Sequence, residues 1–215
     1  MIIESREFNN INLLNEYINN ILPLIKEKRV KAILGYDSLN KQVVSRYAFM
    51  SYDKTITNDD GYAIVFDDNT FLYIYELFAA SLDIGFGELS NEEINDIKQS
   101  DKRDILNASY YVYSPDHKTF EELSFEYAHI TEIIVEKIDH PISVWINGEL
   151  EDDVLIPNAF GSLTFELANG NELIFSPESA DADGYMDLVA KGLQVKETRY
   201  PFSREEYDNL FKEGN

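Results

Sequence analysis

The stretch from Gly61 to Phe78 constrains the fold more than any other part of the chain. Tyr62–Phe66 and Phe71–Leu77 are apolar runs separated by Asp67-Asp68-Asn69-Thr70, which predicts a β-hairpin. Alternate side chains of a strand point to opposite faces of its sheet. In the second run both sets are apolar: Phe71, Tyr73 and Tyr75 on one face, Leu72, Ile74 and Phe78 on the other. Such a strand has to be covered on both sides, so the pattern predicts a central strand with packed layers above and below.

The rest of the chain is punctuated for further antiparallel sheet. Val30–Leu34 and Val43–Ser51 flank the polar turn Asp37-Ser38-Leu39-Asn40, and Ala108–Tyr113 and Ile130–Ile138 are β-branched or aromatic runs. Ile142–Ile146 precedes Asn147-Gly148, a two-residue hairpin signal. Leu163, Phe165 and Leu167 alternate with Ser162, Thr164 and Glu166, and Asn169-Gly170 turns that strand into Glu172–Phe175. Tyr185–Ala190 and Leu193–Thr198 predict a last hairpin about Lys191-Gly192.

Helical spacing is confined to a few segments. Ile11, Leu14, Ile18, Leu22 and Ile25 recur at intervals of three and four within Asn9–Lys28, with Asn9 or Asn10 as the cap. Pro23 is expected to kink or divide that helix. Ser90 and Glu93 have the spacing of a capping box before a short helix reaching Lys98, and Ser203 and Glu206 repeat it before Phe211. Ser114-Pro115-Asp116 predicts another short helix over Phe120–Tyr127. Gly85-Phe86-Gly87, lacking the third glycine of a dinucleotide loop, is read as a turn into the Ser90 helix.

The expected class is therefore α+β, predominantly antiparallel sheet with helices at the N- and C-termini. Polar residues 99–107 suggest a connection between an N-terminal half, 1–104, and a β-rich C-terminal half, 105–215, within two units or one compact domain. Gly61–Ile74 and Gly161–Phe175 share a pattern of glycine, alternating strand, turn and strand. That echo admits two related α+β halves, and equally two hairpins patterned alike by chance.

Charge narrows the function. Forty Asp and Glu against eighteen Lys and Arg give a formal charge of −22. Residues 1–54 carry +2, so residues 55–215 carry −24. No Lys or Arg interrupts 55–97 or 138–190, which hold ten and eleven carboxylates. A field of this sign opposes nucleic acid, whose binding depends on cationic side chains neutralising phosphates. With 44% apolar and 13% aromatic residues the chain has ample material for a packed core. The absence of cysteine excludes disulfides and a Cys nucleophile and suits a cytoplasmic protein. The N-terminus lacks the plan of a signal peptide and no run is long enough to span a membrane.

No catalytic motif stands out. His117, His129 and His140 lack any paired metal spacing, and there is no nucleophile elbow. Ser179–Asp187 places Asp181, Asp183 and Asp187 about a glycine as in a calcium loop, but the twelfth position is Ala190 where a bidentate Glu is required. The segment is read as an acidic loop, with no metal or cofactor assigned.

The function expected from these features is non-enzymatic: an acidic binding protein of inhibitor or immunity type that neutralises a basic protein. Small acidic immunity proteins are similar in charge and size alone. The candidate binding residues are Glu149, Glu151, Asp152, Asp153, Asp181, Asp183, Tyr185 and Asp187, with Tyr185 as an aromatic anchor among the acids. The alternative is a carboxylate-based enzyme, such as a hydrolase with or without a divalent cation. That chemistry needs converging carboxylates, at least one with a strongly displaced pKa. Oligomeric state is not encoded in these patterns.

Overall fold

A computed structural model describes residues 2–8, 10–44, 49–50, 55–58, 61–76, 82–99, 104–111, 119–138, 142–146, 149–154, 160–177 and 186–199. Strand β1 (Ile2–Phe8) precedes helix α1 (Ile11–Ile25). Then come β2 (Val30–Asp37), β3 (Gln42–Val44), β4 (Phe49–Met50), β5 (Ile56–Asn58), β6 (Tyr62–Phe66), β7 (Thr70–Glu76), β8 (Leu82–Glu88) and helix α2 (Asn91–Gln99). The remaining described elements are strands: β9 (Ser109–Tyr111), β10 (Thr119–Ser124), β11 (Ile130–Lys137), β12 (Ile142–Ile146), β13 (Glu149–Val154), β14 (Phe160–Leu167), β15 (Glu172–Pro177), β16 (Met186–Lys191) and β17 (Gln194–Arg199).

Two six-stranded antiparallel sheets dominate. The first has the order β1-β8-β7-β6-β2-β3 and the second β11-β14-β15-β16-β5-β4. A three-stranded sheet, β17-β10-β9, and the two-stranded ribbon β12-β13 are the other sheets among the described residues. The fold is thus mostly antiparallel β with few helices, as the sequence predicted.

The central-strand expectation holds for β7, which lies between β8 and β6. Its residues divide between two clusters. Leu72 and Ile74 join the large core, while Phe71 and Tyr73 join a smaller one on the opposite face, with Ala63 and Val65 of β6 and Leu34 and Tyr36 of β2. Ile94 and Ile97 of α2 pack against that smaller cluster. The β6–β7 turn is fixed locally: Asp68 accepts from the Thr70 amide (3.1 Å) and hydroxyl (2.6 Å), and Asn69 takes a φ of 63°.

The large core lies between the two sheets and includes one side of α1. Leu14, Tyr17, Ile18, Ile21 and Ile25 meet Ile33, Ile64 and Ile84 of the first sheet and Ile133, Phe165, Phe175 and Leu188 of the second. Tyr62 couples the sheets. Its ring lies 5.4 Å from that of Phe175, and its hydroxyl sits 2.7 Å from the Ile56 carbonyl and 3.1 Å from that of Met186. The core joins residues from before and after position 104, and β5 extends the sheet formed by β14, β15 and β16. The hairpins β6–β7 and β14–β15 occupy different sheets.

Several expectations are corrected. Helix α1 is capped by the Asn10 side chain and is not divided at Pro23 but continues to Ile25. Ile2–Phe8 is an edge strand that charged residues at 4, 6 and 7 concealed. Leu82–Glu88 is a strand, not a turn. Gly85 and Gly87 stand opposite Tyr73 and Phe71, while Leu82 and Ile84 face the core. Phe120–Tyr127 is not helical: β10 pairs on both sides, and Leu123, Phe125 and Tyr127 are buried while Ser124 and Glu126 are exposed. The period there is two. Within the polar stretch 99–107, Ile105 and Leu106 are buried and the Ile105 amide bonds the Ile33 carbonyl at 2.8 Å. Strand β17 does not fold back on β16; Gly192, at a φ of 98°, redirects the chain to β10. The Ser203–Phe211 helix lies outside the described residues.

Candidate functional site

The outward face of the second sheet carries five of the chain's carboxylates in an ordered form. In β11, Ile133 and Val135 turn toward the core, so Glu132, Ile134 and Glu136 occupy the other face. Leu163, Phe165 and Leu167 of β14 likewise point inward, leaving Ser162, Thr164 and Glu166 outward. Glu172, Ile174 and Ser176 of β15 share this face, as do Asp187, Val189 and Lys191 of β16.

Antiparallel registration draws these residues into rows that cross the strands. The first is Glu132–Glu166–Glu172–Lys191, each residue opposite the next. The second, one step along, is Ile134–Thr164–Ile174–Val189. The third has Glu136 opposite Ser162 and Ser176 opposite Asp187. The second row, apolar except for the buried Thr164, therefore lies between a row of three carboxylates and a row in which Glu136 and Asp187 flank two serines. Ile134, Ile174 and Val189 are half-buried and belong to neither hydrophobic cluster.

Like charges directly opposite across strands destabilise a sheet, and here three carboxylates stand in sequence. Lys191 compensates the end of the row, its Nζ 2.7 Å from Glu172 Oε2. In the third row the Ser162 hydroxyl donates to Glu136 at 3.0 Å.

The predicted binding residues fall in three places. Asp187 belongs to the face just described. Glu149, Glu151, Asp152 and Asp153 lie on β13, whose register with β12 shifts between the Val144–Glu151 and Ile142–Val154 pairs, at Asp152 and Asp153. Asp181, Asp183 and Tyr185 lie outside the described residues. Sequence reasoning missed Glu132, Glu136, Glu166 and Glu172. Their signal was present as isolated acids at alternate positions of apolar strands, and only strand pairing aligns them.

Two carboxylates, the half-buried Asp104 and the buried Asp83, bear on the enzymatic alternative. Asp104 accepts from the Ile33 and Leu106 amides (3.1 and 3.2 Å) and the Tyr127 hydroxyl (2.5 Å) through one oxygen, and from Asn107 (2.6 Å) through the other. Burial pushes its carboxyl above the usual carboxylate range, against the opposing pull of these donors. Burial first, then the Asp104 charge, holds the Tyr127 hydroxyl well above its ordinary value. This arrangement clamps the 104–107 turn to β2. Asp83 accepts from Tyr73 (3.1 Å) and Tyr75 (2.9 Å), beneath Tyr36, which stacks on Tyr73 at 4.2 Å. Burial, followed by the nearby Asp83 charge, raises the Tyr36 hydroxyl strongly. Both carboxylates are engaged in packing the fold around themselves.

Among the described residues no group of three or more His, Asp or Glu side chains is arranged to hold a metal ion, and no helix is long and apolar enough to cross a membrane. Comparison with family models, curated proteins and solved structures finds no match for this chain.

Proposed function

We propose that this chain is a non-enzymatic binding protein that recognises a basic protein surface, in the manner of an inhibitor or immunity protein, with the outward face of the second sheet as the contact. The observation that carries this reading is the row of Ile134, Ile174 and Val189 about the buried Thr164, set between carboxylates. Interfaces are commonly built this way, with a desolvated centre supplying affinity and a charged rim supplying association rate and specificity. Glu149, Glu151, Asp152 and Asp153 of β13 add to the chain's net negative charge. A Cys-free chain of this charge suits a reducing cytoplasm.

The test is affinity purification from the source cell with the wild-type chain and with Glu132→Lys/Glu166→Lys as paired baits. A basic protein retained by the wild type, released as salt rises, and lost by the variant is the expected result. Equal retention by both baits, or recovery of nucleic acid at physiological salt, would overturn the proposal.

A further inference from the structure

The three rows also specify the shape of what they can receive. Neighbouring strands are about 4.8 Å apart, so a row crossing from β11 to β16 is about 14 Å long. Rows two residues apart along a strand are separated by about 6.7 Å. The face is therefore a stripe of Ile134, Ile174 and Val189 about the buried Thr164, bordered on one long side by Glu132, Glu166 and Glu172 and on the other by Glu136 and Asp187.

Resting on the binding role proposed above, we infer that this face receives a basic amphipathic α-helix laid across the strands, along the apolar row. A helix is about 10–12 Å across with its side chains, and about 14 Å of contact corresponds to roughly ten residues or three turns at 1.5 Å per residue. Its apolar positions at i, i+3, i+4 and i+7 form one stripe with polar positions on both flanks. Lys or Arg on those flanks would lie over Glu132, Glu166 and Glu172 on one side and over Glu136 and Asp187 on the other.

An extended strand fits the face less well. Its side chains alternate between opposite sides, so only a single line of them meets the sheet, which cannot supply an apolar centre with two cationic borders. A second copy of this chain would bring like rows together, and an anionic lipid or nucleic acid meets the same repulsion. Charge complementarity and the width of the stripe thus select one occupant.

The test uses three lactam-stapled 14-residue peptides and the intact protein. The first carries Leu at i, i+3, i+4, i+7 and i+11 with Lys on both flanks. The second has the same composition and staple with the Leu and Lys positions scrambled, and the third has Glu in place of Lys. The first peptide should bind at least tenfold more tightly than the second by fluorescence anisotropy, and the third should not bind. Amide shifts in the wild-type protein should centre on β14, β15 and β16. Ile174→Ser/Val189→Ser, checked for folding by circular dichroism, should abolish the preference for the first peptide over the second. Equal binding of the first two peptides, or shifts centred elsewhere, would overturn the helix inference while leaving recognition of basic proteins standing. If neither cationic peptide binds at low salt, the face is not a contact for cations and the proposed function loses its site as well.

Discussion

Glu166 stands between Glu132 and Glu172 in the cross-strand row, and reversing its charge measures what that row costs the fold. Opposed Cβ atoms lie about 5 Å apart, and flexible carboxylates can separate to about 7 Å, where two unit charges in water repel by about 0.6 kcal/mol. Lys191 offsets part of the Glu172 charge, so the two neighbours together oppose Glu166 by about 0.9 kcal/mol before screening. The Debye length, about 30 Å at 0.01 M salt and about 8 Å at 0.15 M, reduces this to about 0.7 and 0.4 kcal/mol respectively. Glu166→Gln should stabilise by those amounts, and Glu166→Lys, which turns repulsion into attraction, by about twice as much. Glu172→Gln should be nearly neutral, since it relieves repulsion and removes the Lys191 pair together. Urea denaturation at the two salt concentrations gives the comparison. Loss of stability in Glu166→Lys, or a gain that does not shrink with salt, would refute the assignment of the three carboxylates to one row.

Three further outcomes are expected. Asp152→Lys/Asp153→Lys should slow association with a basic partner and flatten its salt dependence with little effect on stability, as stopped-flow mixing at several salt concentrations would show; unchanged kinetics would show that the β13 acids take no part in attracting the partner. Gly61→Ala should destabilise by about 1–3 kcal/mol, because a Cβ there would lie 2.4 Å from Tyr75 Cβ and 2.5 Å from the Ile74 carbonyl oxygen; an unchanged urea midpoint would contradict that packing. Asp104 has its folded pKa raised by burial, so the folded state holds its proton more tightly than the unfolded state does. Its contribution to stability is full below the unfolded value of about 3.9 and is lost as pH rises through the folded value. Asp104→Asn should flatten the pH profile of stability in that window, and an identical slope in wild type and variant would exclude the burial effect.

The elements easiest to read from sequence were those whose local pattern and tertiary surroundings agree. In β7 the apolar residues on both faces require two covering layers, and two layers are present. Helix α1 has a full apolar face and a capping asparagine, and Ser90 and Glu93 exchange the two bonds of a capping box, at 3.1 and 2.7 Å. Misreadings arose where tertiary partners decide. Gly85 and Gly87 belong to a strand because their missing side chains face the aromatic residues of β7. Phe120–Tyr127 follows a period of two that the preceding Ser-Pro-Asp obscured. The candidate face was least legible, because Glu132, Glu166 and Glu172 are separated by 34 and 6 positions in the chain and become neighbours only through strand pairing.

Under the proposed binding role, the arrangement of the charges is what would distinguish recognition from mere solubility. A chain that needs acidity only to remain dissolved can place carboxylates at any exposed position, and interspersing them with cations gives the more stable sheet. Three successive carboxylates in register oppose folding, and partly exposed Ile134, Ile174 and Val189 oppose solubility. Neither feature serves a solubilising surface, whereas a partner that brings cations to the rim and apolar groups to the centre relieves both. Local conflict of this kind concentrates at functional sites. It also predicts a trade: Glu132→Lys and Glu166→Lys should each stabilise the isolated chain and weaken its complex. If instead such variants gained stability and retained full affinity, the row would be a residue of composition, and the contact would have to lie elsewhere on the molecule.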